Sequence, residues 1–215
     1  MAYVLGTEQA DTLQGTAERD DIVALGDNDT VYTNGGGGYV NAGAGNDVVY
    51  GGIGNDELDG QSGNDELHGG ADSDTLFGQD GADKLYGEAG NDTLHGGGDK
   101  DIDELHGGTG IDNLYGSGGN DSFYFATADS GDVHYRNYSA PSEADTIHNF
   151  TDGDKIYLQG SYSYAGATST PADGQYSVWQ KDNDYVVTWN AAGDDGFHDV
   201  VVQGSNPVGD ILFYA

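Results

Sequence analysis

A period of nine residues governs what the first 123 residues of this chain can become. Leu13, Ile22, Val31, Val40, Val49, Leu58, Leu67, Leu76, Leu85 and Leu94 follow one another at that spacing. One interval of eleven then reaches Leu105, and Leu114 and Phe123 restore the nine. Two residues before the apolar positions stand Asp11, Asp20, Asp29, Asp47, Asp56, Asp65, Asp74, Asp83, Asp92, Asp103, Asp112 and Asp121. Only the Val40 unit departs, with Gly38 in the acidic place. Gly-rich stretches such as Gly51-Gly52-Ile53-Gly54-Asn55-Asp56 fill the intervals. Such a period suits neither a helix of about 3.6 residues per turn nor a long alternating strand. Interior Gly also costs a helix roughly 1 kcal/mol relative to Ala. Each unit reads as a six-residue turn followed by a three-residue strand whose middle side chain points inward.

Two units make one coil of a flattened solenoid, with strands stacked about 4.8 Å apart. Leu13, Val31, Val49, Leu67 and Leu85 line one sheet; Ile22, Val40, Leu58, Leu76 and Leu94 line the other. Asp residues eighteen apart then stack along each edge. Carboxylates held that close repel strongly in a partly desolvated turn, and a core one side chain thick cannot offset the repulsion. A hard divalent cation removes the conflict, since Ca²⁺ takes about six to eight oxygen ligands, carboxylates and backbone carbonyls among them. Gly lets the backbone turn its carbonyls into one cavity.

Charge and composition narrow the classes further. With 38 acidic side chains against 6 basic ones the formal charge is −32. Binding to nucleic-acid phosphates needs a basic patch and is excluded. No apolar run reaches the roughly 18 residues of a membrane span, so the chain is read as not transmembrane. Cys is absent, which removes disulfides, thiolate nucleophiles and Cys-ligated zinc. The start, Met1-Ala2-Tyr3-Val4-Leu5-Gly6, lacks the basic and apolar parts of a secretory signal peptide. Disorder is the usual reading of such a charge, but it requires no register held over thirteen positions.

The pattern Gly-Gly-x-Gly-x-Asp-x-(apolar)-x resembles the RTX haemolysin-type calcium-binding nonapeptide repeats over residues 6–123, most closely from Val49 to Phe123. The resemblance implies an all-β fold, a right-handed parallel β-roll with Ca²⁺ between successive turns of one edge. In that arrangement one turn offers the carbonyls of its second and fourth residues, the next those of its first and third, and both Asp side chains join. One implied site unites Gly52, Gly54 and Asp56 with Gly69, Ala71 and Asp74; another unites Gly43, Gly45 and Asp47 with Gly60, Ser62 and Asp65. Further candidate ligands are Gly63, Gly70, Asp72, Gly78, Asp80, Gly81, Asp83, Gly87, Ala89, Gly90 and Asp92. The set closes with Asp101, Asp103, Gly107, Thr109, Asp112, Gly116, Gly118 and Asp121. At one ion per stacked loop pair, roughly six to nine Ca²⁺ are expected. The insertion Gly96-Gly97-Gly98-Asp99-Lys100-Asp101 is expected to disturb the pairing of Asp83 with Asp103, and pairs containing Gly38 to be weak or empty.

The residue after each inward position faces outward. One such column reads Gln14, Tyr32, Tyr50, His68, Tyr86, His106 and Tyr124; the other reads Val23, Asn41, Asp59, Phe77, His95 and Tyr115. Same-face stacking that stabilises the strands accounts for the first column, as does a flat platform for sugar rings or another protein. Beyond Phe123 an irregular Ser/Tyr/Asp-rich loop is expected through Glu143. The stretch 144–158 resembles the segment that follows RTX repeats in secreted metalloproteases and alginate epimerase modules. There Asp145 and Asp154 suit either a further ion or a capped turn. Strands are predicted at 176–180, 185–190 and 199–203, with Lys181-Asp182-Asn183-Asp184 turning between the first two. The chain therefore divides into a roll, 1–125, and a C-terminal β-rich cap, 126–215. Its end, Asp210-Ile211-Leu212-Phe213-Tyr214-Ala215, resembles the uncleaved export signal of type I secretion substrates, and equally reads as a last strand.

No enzyme signature is present. His68, His95, His106, His134, His148 and His198 make no His-Glu-x-x-His motif, and neither a Gly-x-Ser-x-Gly elbow nor a phosphate-binding loop occurs. An ice- or mineral-binding face on Thr12, Thr30, Thr75 and Thr93 would be broken by Glu57, Glu66, Lys84 and Glu104. The function expected is non-catalytic: a bacterial calcium-binding protein exported by the type I machinery, folding outside the cell and acting in surface or polysaccharide binding. The alternative is a non-catalytic module of a larger secreted polysaccharide-modifying enzyme or protease.

Overall fold

Every apolar column residue from Ile22 to Phe123 is completely buried, in one file between two facing sheets. The computed structural model describes residues 1–98, 100–125, 145–151, 153–159, 163–164, 175–181, 184–190 and 198–214. The expected loop through Glu143, Asp99, His134 and the turn residues 182–183 lie outside the described residues.

The strands alternate between the sheets along the chain. One sheet runs Ala2–Leu5, Asp20–Val23, Tyr39–Ala44, Glu57–Ser62, Thr75–Asp80, Thr93–Gly97, Asn113–Ser117 and Asp145–Phe150, all parallel. The other runs Thr12–Gln14, Thr30–Tyr32, Val48–Ile53, Glu66–Ala71, Lys84–Ala89, Glu104–Thr109, Ser122–Phe125, Lys155–Gln159 and Ile211–Tyr214, parallel throughout. An eighteen-residue step therefore returns to the same sheet one rung along, as in Leu58 opposite Leu76 and Leu67 opposite Leu85. Parallel pairing is usually confined to sheets buried on both faces; here the inner faces bury the column and the outer faces are only half-covered.

Three features were not expected. The central strands are six residues long rather than three. A left-handed residue such as Gln61 (φ 74°) or Gln79 (φ 80°) bends the chain while the ladder continues through it, Gln61 lying opposite Gln79. The eleven-residue interval leaves the ladders intact, with Leu85 opposite Leu105 and Thr93 opposite Asn113, so the extra residues enter the turn around Gly98. The roll also continues past Phe125. Asp145-Thr146-Ile147 and Asp154-Lys155-Ile156 restore the spacing of nine, and Ile147 and Ile156 stack on Leu114 and Phe123.

The predicted C-terminal strands form as Gln175–Lys181, Asp184–Asn190 and His198–Gly204. His198–Gly204 runs parallel to Asp145–Phe150, and the first two pair antiparallel beside it, burying Val187, Trp189, Val200 and Val202. At the opposite end Val4 and Leu13 are only half-buried, because no strand precedes theirs.

A file one side chain thick has little capacity to collapse around a void. Leu67→Ala is expected to lower stability by about 2–5 kcal/mol, measured by urea unfolding in saturating calcium.

Candidate metal centre

The turns gather on two edges of the roll, and all of the sequence-predicted ligands lie on them. One edge carries Gly43, Gly45 and Asp47; Gly60, Ser62, Gly63 and Asp65; Gly78, Asp80, Gly81 and Asp83; Asp101 and Asp103; Gly116, Gly118 and Asp121. The other carries Gly52, Gly54 and Asp56; Gly69, Gly70, Ala71, Asp72 and Asp74; Gly87, Ala89, Gly90 and Asp92; Gly107, Thr109 and Asp112.

Each edge is threaded by a carboxylate ladder. The backbone N–H of one column Asp donates to Oδ1 of the Asp one coil further on. Along the first edge the distances are 2.7 Å for Asp11 to Asp29, 2.6 Å for Asp29 to Asp47, and 2.8 Å for both Asp47 to Asp65 and Asp65 to Asp83. Asp83 keeps the same contact to Asp103 at 2.9 Å, so the insertion does not disturb that pair. Along the second edge Asp56, Asp74 and Asp92 donate to Asp74, Asp92 and Asp112, each at 2.8 Å. Asp145 and Asp154 extend the two ladders, accepting from Asp112 and Asp121 at 2.9 Å. Their signal in the sequence was the restored Asp-x-apolar spacing, hidden by the long interval after Phe123.

The other carboxylate oxygen, Oδ2, is the unusual one. In Asp29, Asp47, Asp56, Asp65, Asp74 and Asp92 it is buried with no hydrogen-bond donor from the protein. Leaving a buried charged acceptor unsatisfied is strongly unfavourable. In Asp56, Asp65, Asp74 and Asp92 it faces the first glycine of the same turn, where a Cβ would have no room; in the turns of Asp29 and Asp47 that place is taken by Ala24 and Ala42. A Cβ on Gly69 would lie 2.5 Å from Asp74 Oδ2 and 2.9 Å from the Gly87 carbonyl oxygen of the next coil. Gly60 meets Asp65 Oδ2 and the Gly78 carbonyl in the same way. Carbonyls of second and fourth turn residues point along the axis, so that a Cβ on Gly70 would strike the Gly52 carbonyl and one on Gly90 the Asp72 carbonyl. Oxygen-only donors around an orphaned carboxylate are the chemistry of a hard divalent cation. Among the described residues no three His, Asp or Glu side chains converge on one point. A cation here would be held by paired carboxylates and backbone carbonyls instead.

The turn at 33–38 differs, as its missing Asp implies. Gly38 N–H donates to Asp56 Oδ1 at 2.6 Å, and the Thr33 hydroxyl bonds the Gly51 carbonyl. Serving as first turn residue, Thr33 places its side chain where the other turns have Gly or Ala.

Burial raises the carboxyl pKa values along the middle of both edges. Asp56 and Asp92 are pushed up to about 6, Asp65 to about 7 and Asp74 to about 8. Desolvation leads in each case; the backbone N–H bond opposes it, and neighbouring carboxylates add to it for Asp65 and Asp74. Asp20 moves the other way, held low chiefly by the Thr16 N–H.

Outside the edges, the ring columns form continuous stacks. Tyr32, Tyr50, His68, Tyr86, His106, Tyr124 and Tyr157 follow one another with centroids 4.4–5.0 Å apart and planes within 25° of parallel. Phe77, His95, Tyr115 and His148 do the same on the other sheet at 4.2–4.9 Å. Burial among the rings lowers the His106 pKa to about 4, so its imidazole stacks uncharged at neutral pH. Each ring face is covered by the next ring. An open flat platform is thus not what the column presents; it presents ring edges.

The fold and its oxygen-lined edges define a parallel β-solenoid built for divalent cations. The RTX calcium-binding nonapeptide repeat matches in four copies, over residues 5–40, 32–67, 68–102 and 98–127. The chain belongs to that family, whose repeats bind calcium. Among solved structures, the R2 subunit of a mannuronan C5-epimerase from Azotobacter vinelandii is 28% identical, covering 67% of this chain and 90% of that one, with a TM-score of 0.45. The R3 subunit from the same organism is also 28% identical, covering 69% of this chain and 77% of that one, with a TM-score of 0.26. The extracellular lipase LipA from Serratia marcescens is 16% identical, covering 99% of this chain and 40% of that one, with a TM-score of 0.42. No curated protein matches the chain significantly.

The raised carboxyl pKa values set a pH dependence for the cation-free roll. Unfolded Asp ionises near pH 4, whereas Asp65 and Asp74 keep their protons to about 7 and 8 when folded. Folding then binds protons, so stability falls as pH rises from about 4 to about 8 and levels off above. Without calcium the far-ultraviolet β signal is expected to be larger at pH 4.5 than at pH 8, and Asp74→Asn to reduce that difference.

Proposed function

We propose that the chain is a secreted, non-catalytic calcium-binding protein that folds when calcium fills both edges of the roll. The row of buried Oδ2 atoms without a protein donor carries this reading. Roughly six to nine ions, one per stacked loop pair, would bridge successive turns. In one of them Gly52, Gly54 and Asp56 would act with Gly69, Ala71 and Asp74, and in another Gly43, Gly45 and Asp47 with Gly60, Ser62 and Asp65. Bound calcium supplies the positive charge that lets paired carboxylates stay ionised and buried. Because it binds only the closed coils, it stabilises them by mass action. Eight ions would change the formal charge from −32 to −32 + 16 = −16, leaving the protein acidic.

Calcium-dependent folding fits export by the type I machinery. The C-terminal segment that resembles the export signal includes the strand Ile211–Tyr214, which pairs with Lys155–Gln159 in the folded roll. Such a signal is readable only while the chain is unfolded, the state favoured at low free calcium inside a cell. Residues 126–215 would then serve as the cap of the repeats in 1–125. Outside the cell the ring columns suit attachment to a polysaccharide through phenol hydroxyls and imidazole edges.

Far-ultraviolet circular dichroism during a calcium titration tests the proposal. At pH 8, excess chelator is expected to abolish the β signal and calcium to restore it. Substituting both Asp65→Asn and Asp74→Asn should raise the midpoint calcium concentration about tenfold or more, about 1.4 kcal/mol of lost binding free energy per decade. A full β signal in excess chelator would sink the idea.

A further inference from the structure

Carboxylates at the ends of the roll are closed differently from those in its middle. Asp11 Oδ2 accepts the backbone N–H of Thr7 at 2.7 Å and its hydroxyl at 2.9 Å. Asp20 Oδ2 accepts the N–H of Thr16 at 2.5 Å and its hydroxyl at 2.8 Å. In both turns the threonine Oγ1 also accepts the N–H two residues on, from Gln9 and from Glu18, at 3.2 Å. At the other end Thr151 N–H donates to Asp154 Oδ2 at 2.7 Å. The same oxygen in Asp29, Asp47, Asp56, Asp65, Asp74 and Asp92 is buried and has no such donor.

At the N-terminal end the cause is the second residue of the turn. In the interior turns before the insertion that residue is left-handed, as in Gly43 (φ 108°), Gly52 (96°), Gln61 (74°), Gly70 (110°), Gln79 (80°) and Glu88 (73°). Its N–H stays on the strand ladder, and nothing from the turn reaches Oδ2. A β-branched residue is strongly disfavoured in that region, and neither Thr7 nor Thr16 adopts it. Their turns fold the N–H and hydroxyl inward instead, onto the carboxylate four residues on, as side chains of Ser and Thr do in local turns.

We propose that threonine at the second turn position takes the place of the cation: Thr7 with Asp11 and Thr16 with Asp20 are hydrogen-bonded clasps that hold no ion. In the folded roll the first two turns then need no ion of their own, and ions fill turns that lack such a threonine. This rests on the calcium reading of the interior turns and adds to it a residue that decides which turns need the ion.

Native mass spectrometry of the full chain at saturating calcium counts the ions. Asp11→Asn and Asp20→Asn are expected to keep the wild-type count, and Asp65→Asn and Asp74→Asn to lower it. Gln61→Thr, which installs a clasp in an interior turn, should lower the count by one while circular dichroism shows the roll retained. Loss of an ion in Asp11→Asn or Asp20→Asn, or an unchanged count in Gln61→Thr, would overturn the clasp alone. Should Asp65→Asn and Asp74→Asn leave the count unchanged, the calcium reading falls and the clasp with it. If Asp20→Asn does not fold, hydrogen exchange in the wild type decides: the Thr7 and Thr16 amides should be protected, and fast exchange at both refutes the clasp.

Discussion

Repulsion between carboxylates stacked one coil apart is the constraint on which everything else in this structure depends. The column Asp residues are almost wholly buried, from Asp20 at 1% exposure to Asp112 at 0%. They are held there by the N–H of the neighbouring Asp, at spacings set by the strand ladder rather than by charge. Such a row costs too much free energy unless protons, cations or hydrogen-bond donors meet it. Each of these appears in the fold: raised pKa values in the cation-free edges, oxygen-lined turns suited to calcium, and threonine donors at the N-terminal end.

The Gly content follows from the same constraint. First-position glycines leave space for Oδ2, and left-handed second and fourth positions aim carbonyls at the next coil. At the first positions of two turns near the N-terminus the residue is a buried alanine, Ala24 or Ala42, the smallest side chain available. The hydrophobic file between the sheets contributes one residue per unit. Each coil touches only its neighbours, so the stability of the whole is close to a sum of coil and interface terms. The stacked rings of the outer faces add to the interface terms along both sheets.

Much of this architecture is legible in the sequence. The inward column, the pairing of units on alternate sheets and the position of every Asp rung from Asp11 to Asp121 follow from the period alone. The predicted strands near the C-terminus also form, because their β-branched and aromatic runs have no other place to bury Val187, Val200 and Val202. The return of the roll at Asp145 and Asp154 was harder to see, since a long interval separates those residues from the preceding rungs and breaks the register that makes the repeat visible. Strand length was underestimated because left-handed Gln61 and Gln79 stay in the ladder, which no composition rule reveals.

The sequence by itself determined the period, the two edges, the acid on each rung and the oxygen chemistry that calcium requires, because a strict repeat leaves the chain one way to stack. Only the tertiary structure decided how each carboxylate is satisfied. Whether Oδ2 meets a threonine N–H, as in Asp20, or no protein donor, as in Asp74, depends on the backbone of the turn. Likewise, stacking alone turns Tyr50 and Tyr86 edge-outward, because His68 between them covers one face of each and Tyr32 and His106 cover the others.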